Sequence, residues 1–279
     1  MSDGTEVTYD FLVVAPGITL RFDLIEGAKE ALADANCPVG SIYTLDGAYK
    51  TSVLRENFRG GRAIFTLPTM PIKCGGGPQK IMYLSEETFR KNGVRDKTEV
   101  MWHTTVGNLF PNCLKFAKAL EPIAAAKGIN INYQSQLTAI DKDNRVATFK
   151  NLQNGDLTHL DFDFLHFAPP QTPHEFIRNS PLAHSSGWLD VNIHTLQHNK
   201  FPNVFGLGDV CNLPTAKTAA AVFSQSPVVA NNILVQMGKA SNIGKYDGYS
   251  SCPLFVGDGK LMLIEFKYGA EANESLFAD

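Results

Sequence analysis

The chain has 279 residues, with 25 Lys plus Arg against 28 Asp plus Glu and 44% hydrophobic residues, enough for roughly two domains with their own cores. A net charge of -3 lacks the basic excess that a phosphate backbone demands, so nucleic acid is not an expected partner. No apolar run reaches the ~18 residues of a membrane span, and the opening MSDGTEVTYD carries no secretory or Arg- and Ser-rich leader pattern.

Strand and helix signals alternate from the start. Residues 9–15 (YDFLVVA) are an apolar run of strand length, ended by Pro16 and Gly17, and read as a buried parallel strand. Residues 49–58 suit a helix, 62–67 (RAIFTL) a strand, and 77–91 a helix with apolar spacing at Ile81, Leu84 and Thr88. Residues 99–105 (EVMWHTT) give the next strand, 112–127 a helix that Gly128 closes, and 129–133 a further strand, completing a βαβαβ order. Residues 137–141 and 145–152 read as antiparallel strands around the turn residues Asp143 and Asn144. Residues 162–170 (FDFLHFAPP) then echo residues 9–17 (YDFLVVAPG), which suggests two like domains, each closed by its own strand and turn.

Two loops carry the chemistry. Residues 68–84, PTMPIKCGGGPQKIMYL, have the strand, glycine turn and helix of a phosphate-binding loop, but Cys74 stands where the first glycine belongs and Lys80 where the third would be. The following strand ends in His103 and Thr104 instead of an acidic residue, so NAD(P)H binding is not expected. Cys74 precedes a helix start, where free N–H groups and the helix dipole favour a thiolate, with Lys73 and Lys80 adding positive charge. The other cysteines, Cys37, Cys113, Cys211 and Cys252, form no CxxC pair and suit neither a zinc ribbon nor a secreted disulfide framework; the default for each is a small buried hydrophobe. Cys252 lies between turn residues and Pro253, outside any obvious core stripe.

The second loop lies in residues 201–222, FPNVFGLGDVCNLPTAKTAAAV, where a strand over 203–206 runs into Gly208 and Asp209 and an alanine-rich helix begins near Lys217 and Thr218. The glycine allows close approach of a ligand, the carboxylate of Asp209 can accept from hydroxyls of a sugar-alcohol chain, and the helix N–H groups with Lys217 can stabilise charge on a ring oxygen. That set suits a flavin, with an ordinary glycine turn and aspartate cap as the alternative.

GLGD followed by NLPTAKTAAAV, with an earlier strand ending in APG, is similar to flavoproteins of the glutathione-reductase-like group. IFTLPTMPIKCGGGPQKIMYLSE, LDVNIHTLQHNKFPNVFGLGD and YDGYSSCPLF together resemble sulfide:quinone oxidoreductases of the animal mitochondrial type, from residue 9 to about residue 268. The resemblance implies an α/β fold of two Rossmann-like dinucleotide-binding domains (FAD/NAD(P)-binding fold), the first incomplete at its N-terminus. Residues 1–46 would be a remnant of the FAD-binding domain, 47–175 a NAD-like domain with a degenerate loop, 176–238 the second part of the FAD-binding domain, and 239–279 C-terminal strands with the second redox cysteine. The family's GxGxxG segment is expected ahead of residue 9 and its amphipathic membrane tail beyond the last strands, and a chain without them is expected to hold FAD weakly.

For the site, the resemblance implies that Cys74 and Cys252 are the catalytic pair, joined by a disulfide or a bridge with an extra sulfur beside the flavin. Sulfide opens the bridge, leaving a persulfide and a thiolate; two electrons pass through FAD to ubiquinone, and the sulfur passes to a small acceptor such as sulfite or glutathione. Gly208, Asp209, Lys217, Thr218 and Ala219 would hold FAD. Phe255 and Phe266 read as core packing, with quinone contact as the alternative. By resemblance the location is the mitochondrion, at the inner membrane surface. A type-2 NADH:quinone dehydrogenase-like flavoprotein and a non-catalytic truncated binding protein are the competing expectations.

Overall fold

The computed structural model describes residues 4–111 and 113–275. These form two compact units: one holds Leu20–Thr172 with Cys252–Ile264, the other Pro173–Ser251 with Glu265–Asn273 and the segment up to Thr19.

The larger unit is built on a five-stranded parallel sheet with spatial order Ile129–Asn132, Thr98–Thr104, Gly61–Leu67, Phe164–His166, Val39–Gly40. This is the doubly wound order: the chain moves outward from Gly61–Leu67 on one side, then returns to Phe164–His166 on the other, leaving a switch point between those two strands. Gly61–Leu67 and Thr98–Thr104 run with continuous apolar or small residues because both faces are covered, and Ala63, Ile64, Phe65, Val100 and Trp102 are buried. The helix Leu45–Asn57 starts at Thr44, whose hydroxyl accepts from Gly47 N–H at 3.1 Å. Gly40 lets that helix lie close to the sheet, since a Cβ there would strike Thr51.

The helix Gly77–Lys91 falls where the sequence places it, with Pro78 in its first turn and Gly93 at φ +66° just beyond its end. Its buried stripe is Met82, Ser85, Glu86 and Phe89, so Leu84 and Thr88 of the expected stripe are only half-buried. The helix expected over 112–127 is Leu114–Ala126, closed by Gly128 at φ +61°; residue 112 lies outside the described residues. The antiparallel pair Ser135–Asp141 and Val146–Asn151 is joined by a third strand, Leu157–Asp161, whose largely exposed, polar sequence hides it from a periodicity reading. Phe149, Leu137, Ile140 and Ala147 of this meander share a core with Ile25, Ile64, Leu165 and Phe167.

In the smaller unit the strand Leu12–Val14 pairs in parallel with Val204–Gly206. The expectation of a buried strand fails in part: Val14 is buried but Val13 is 44% exposed, because this strand belongs to a two-stranded sheet. The helix Ala219–Gln236 follows, capped by the Thr218 hydroxyl, which accepts from Ala221 N–H at 3.1 Å. Among the described residues no helix is long and apolar enough to cross a membrane.

Within the larger unit one electrostatic cluster ties the turn between the strands Ser250–Gly257 and Lys260–Phe266 to the helix Gly77–Lys91. Glu86, its side chain 1% exposed, meets Arg90 at 2.8 Å and Lys127 at 3.1 Å, and the same two cations reach Asp258 of the hairpin turn at 2.7 and 3.0 Å. Removing Glu86 leaves Arg90 and Lys127 with Asp258 as a remaining partner. Glu86→Ala is therefore expected to lower the unfolding free energy by about 2 kcal/mol in urea titration, the loss of hydrogen bonds to charged groups, whereas Asp23→Ala, which breaks the exposed pair with Arg21, leaves it nearly unchanged.

Candidate active site

The loop after Gly61–Leu67 leads from the sheet's switch point to Cys74, at the position where a dinucleotide-binding domain receives its ligand. Cys74 takes φ +85°, a left-handed conformation rare for a residue with a side chain. Its carbonyl accepts from Gly77 N–H at 2.7 Å, which turns the chain straight into the helix Gly77–Lys91. Lys73 N–H donates to the Gln171 side chain at 2.9 Å and anchors the loop from the other side.

The second sulfur comes from sequence far away. Cys252 lies within the strand Ser250–Gly257, where Cys252, Leu254 and Val256 point inward and Pro253 and Phe255 outward. It is thus part of a buried strand stripe, not a turn position as the sequence suggests. The serines and proline around it resemble turn residues, but period two governs their burial. The Sγ atoms of Cys74 and Cys252 are 3.2 Å apart, with no disulfide between them. Gly76 makes the approach possible, because a Cβ there would sit 2.5 Å from Cys252 Sγ and 2.7 Å from Leu254 Cδ1.

The two sulfurs differ electrically. The hydrogen bond from Cys252, then Lys80 and the Gly76 N–H, hold Cys74 well below the ordinary thiol range despite burial. Lys80 Nζ stands 3.7 Å from Cys74 Sγ. Cys252 is pushed up by its role as donor to Cys74 and by burial, so Cys74 is the thiolate and Cys252 the thiol. Lys73 is exposed, and the charge that reaches Cys74 is that of Lys80. Cys37, Cys113 and Cys211 are buried singly, and burial pushes the Cys211 thiol up to about 12.

In the other unit Gly208 adopts φ +79°, and its N–H donates to Gln225 Oε1 at 2.7 Å. Asp209 follows at the end of the turn, with its carbonyl accepting from Lys217 Nζ at 2.5 Å. Lys217 also donates to the Cys211 carbonyl at 3.2 Å and lies 3.8 Å over the Trp188 ring. Its ammonium is spent on bracing the Gly208–Asp209 turn, and burial lowers it to about 8. Thr218 shares its hydroxyl with Ser250 at 2.8 Å, and Ala219 is exposed at the first position of the helix. A cavity of about 10 Å³ lies among Gly208, Asp209, Lys217, Thr218 and Gln225. A glycine turn, a carboxylate and an open helix start are the donor and acceptor types a flavin's ribityl chain and ring edge need. Phe266 is 1% exposed, as core packing requires, but Phe255 is 47% exposed and the core reading fails for it, because it occupies the outward face of its strand.

Gly76, Leu254 and Tyr43 complete the cysteine site and are absent from the sequence-based set. No spacing rule points to Tyr43, which stands just before the helix cap Thr44.

The architecture is that of the FAD/NAD(P)-binding fold. Aquifex aeolicus sulfide:quinone oxidoreductase superposes with a TM-score of 0.77 at 20% identity, covering 95% of this chain and 67% of that one. A chain in the Tetrahymena thermophila mitochondrial ATP synthase structure superposes with a TM-score of 0.82 at 29% identity, covering 95% of this chain and 66% of that one. In sequence the chain is similar to the mitochondrial sulfide:quinone oxidoreductase of Mus musculus, with 41% identity over 273 residues, 98% of this chain. The match spans 60% of the relative's length. No family model matches the chain.

A thiol whose pKa is lowered stays ionised as pH falls until that lowered value is reached. Alkylation of Cys74 by iodoacetamide, followed by peptide mass spectrometry, is expected to remain fast through neutral pH and to fall only below it. Lys80→Met is expected to move that fall upward in pH, and Gly76→Ala to move it further by separating the sulfurs.

Proposed function

We propose that this chain carries the sulfur-reacting and flavin-holding parts of a sulfide:quinone oxidoreductase. The observation that carries the reading is the Cys74–Cys252 pair, one thiolate and one thiol at 3.2 Å, at the ligand end of a dinucleotide-binding sheet. The relatives named for this activity match nearly the whole chain.

In this reading the unit with Gly208, Asp209, Lys217, Thr218 and Ala219 is the FAD-binding part, and the unit with Cys74 and Cys252 descends from the NAD-binding part. FAD, when bound, supplies a two-electron acceptor that ubiquinone reoxidises. Asp209 would hold the ribityl hydroxyls, Lys217 fixes the turn that presents Asp209, and Thr218 and Ala219 would offer the helix start to the ring. Oxidised, Cys74 and Cys252 form the sulfur bridge that sulfide opens. One cysteine leaves as a thiolate, the other keeps the added sulfur, Lys80 stabilises negative charge on the Cys74 side, and sulfite or glutathione removes the added sulfur. Lys80 at the third glycine position and the absence of an acidic residue after His103 and Thr104 argue against NAD(P)H as reductant. The relatives' mitochondrial names support a mitochondrial location for the reaction, with ubiquinone met at the inner membrane surface in this reading.

A second reading has one observation in its favour: the 29% identical Tetrahymena chain belongs to a structure of the ATP synthase. In this reading the chain serves an assembly.

Purified chain reconstituted with FAD is expected to reduce a short-chain ubiquinone with sulfide, and Cys74→Ser or Cys252→Ser to bring the rate to background with FAD still bound. Flavin bleached by NADH and not by sulfide would favour a type-2 NADH dehydrogenase. A chain that takes up no FAD would favour the assembly role.

A further inference from the structure

Beside the cysteine pair, one side chain has no role in what precedes. The Tyr43 hydroxyl is closed off from solvent and has no hydrogen-bond partner. A buried phenol without a partner is costly, so such an atom points to a missing acceptor.

Its surroundings indicate which acceptor. A Cβ built on Gly77 would meet the Tyr43 oxygen at 3.3 Å, closer than an ordinary contact, so that hydroxyl faces the bare side of Gly77 at the helix start. Gly77 is the first residue of the helix, and its N–H is bonded to the carbonyl of Cys74. Burial, then the charges of Cys74 and Cys252, push the phenol's ionisation far up, so Tyr43 is a donor that senses both sulfurs. The bare glycine, the donor and the thiolate converge on the helix start, and an atom bonded to Cys74 Sγ is the one positioned to use them.

We propose that Tyr43 donates a hydrogen bond to the outer sulfur of a persulfide carried on Cys74, and that the glycine at 77 leaves the room this sulfur takes. The proposal rests on the sulfur-handling reading of the pair, and it assigns Tyr43 as the residue that holds the transferred sulfur. Loading needs only a small-molecule persulfide as co-reactant: the Cys74 thiolate attacks the outer sulfur of R–S–SH, the Cys74 S–S bond forms, the R–S bond to that sulfur breaks, and R–S⁻ leaves. The electron count is unchanged, because the sulfur moves from one thiolate to another. Loss of a proton from the new S–SH leaves an anionic outer sulfur, which a phenol O–H stabilises.

The test equilibrates reduced protein, without oxygen, against glutathione persulfide in glutathione, and reads the occupancy of Cys74 by mass spectrometry and the persulfide's ionisation by its ultraviolet absorbance across pH. Tyr43→Phe removes one unpartnered oxygen and is expected to fold normally. It is expected to lower the exchange constant about tenfold and to raise the persulfide's pKa by about one unit, the loss of a hydrogen bond to an anion. Gly77→Ala, which sets a Cβ against the Tyr43 hydroxyl, is expected to lower occupancy as well. Tyr83→Phe, which removes another buried unpartnered hydroxyl, one that senses Tyr133 and not the cysteines, is expected to change neither reading. Wild-type values in Tyr43→Phe for both readings, with Cys74 still loaded, overturn the proposal, as does failure of Cys74 to take up sulfur at all. Tyr43-dependent loading in a FAD-bound chain that does not reduce quinone with sulfide upholds the proposal and removes the oxidoreductase reading.

Discussion

The site depends on the absence of one side chain. Cys252 Sγ reaches Cys74 only because position 76 is glycine; any Cβ there would occupy the space of the Cys252 sulfur and of Leu254 Cδ1. The strand that delivers Cys252 has its own requirement. Its turn is tied to the helix Gly77–Lys91 through Asp258, Arg90, Lys127 and the buried Glu86, so the cluster on one side of that helix fixes the sulfur offered at its start. Cys74 completes the arrangement by accepting a left-handed backbone, a conformation that costs on the order of 1 kcal/mol or more for a residue with a side chain and is found at functional sites.

Electrostatics then divides the labour. A helix start, the Gly76 N–H and the Lys80 ammonium converge on Cys74, and Cys252 donates to it, so the pair holds a single negative charge on a defined sulfur. At Cys211 the balance is reversed: burial and the charge of Asp209 push the thiol up against the opposing charge of Lys217. In the other unit the same physics serves a different end. Lys217, at a helix start where it could meet an anion, is instead bound to two carbonyls and an aromatic face, so its contribution to a flavin site runs through the turn it braces.

Much of this was legible in the sequence, and the limits are physical. The parallel sheet showed itself because strands covered on both faces read as apolar runs, and the helix Gly77–Lys91 because a glycine turn opens it and the residues after it carry helical spacing. Cys74 and Lys80 stood out because they replace glycines in a pattern that needs glycine. The strand Leu157–Asp161 was hidden because its side chains are mostly exposed and carry no alternation of polarity. The strand character of Cys252 was hidden because Ser, Ser and Pro outweigh the two-residue period of Cys252, Leu254 and Val256. Tyr43 could not be found at all, since its importance lies in a hydroxyl left without a partner, a property of packing that no local pattern encodes.

The central claim is that Cys74 and Cys252 act as one redox unit, and a peptide map of the chain after mild oxidation tests it most directly. The account predicts a single cross-linked pair of peptides joining Cys74 to Cys252, directly or through added sulfur, with Cys37, Cys113 and Cys211 recovered as free thiols. Recovery of Cys74 and Cys252 as independent thiols, or a cross-link from either to one of the other three, would contradict it.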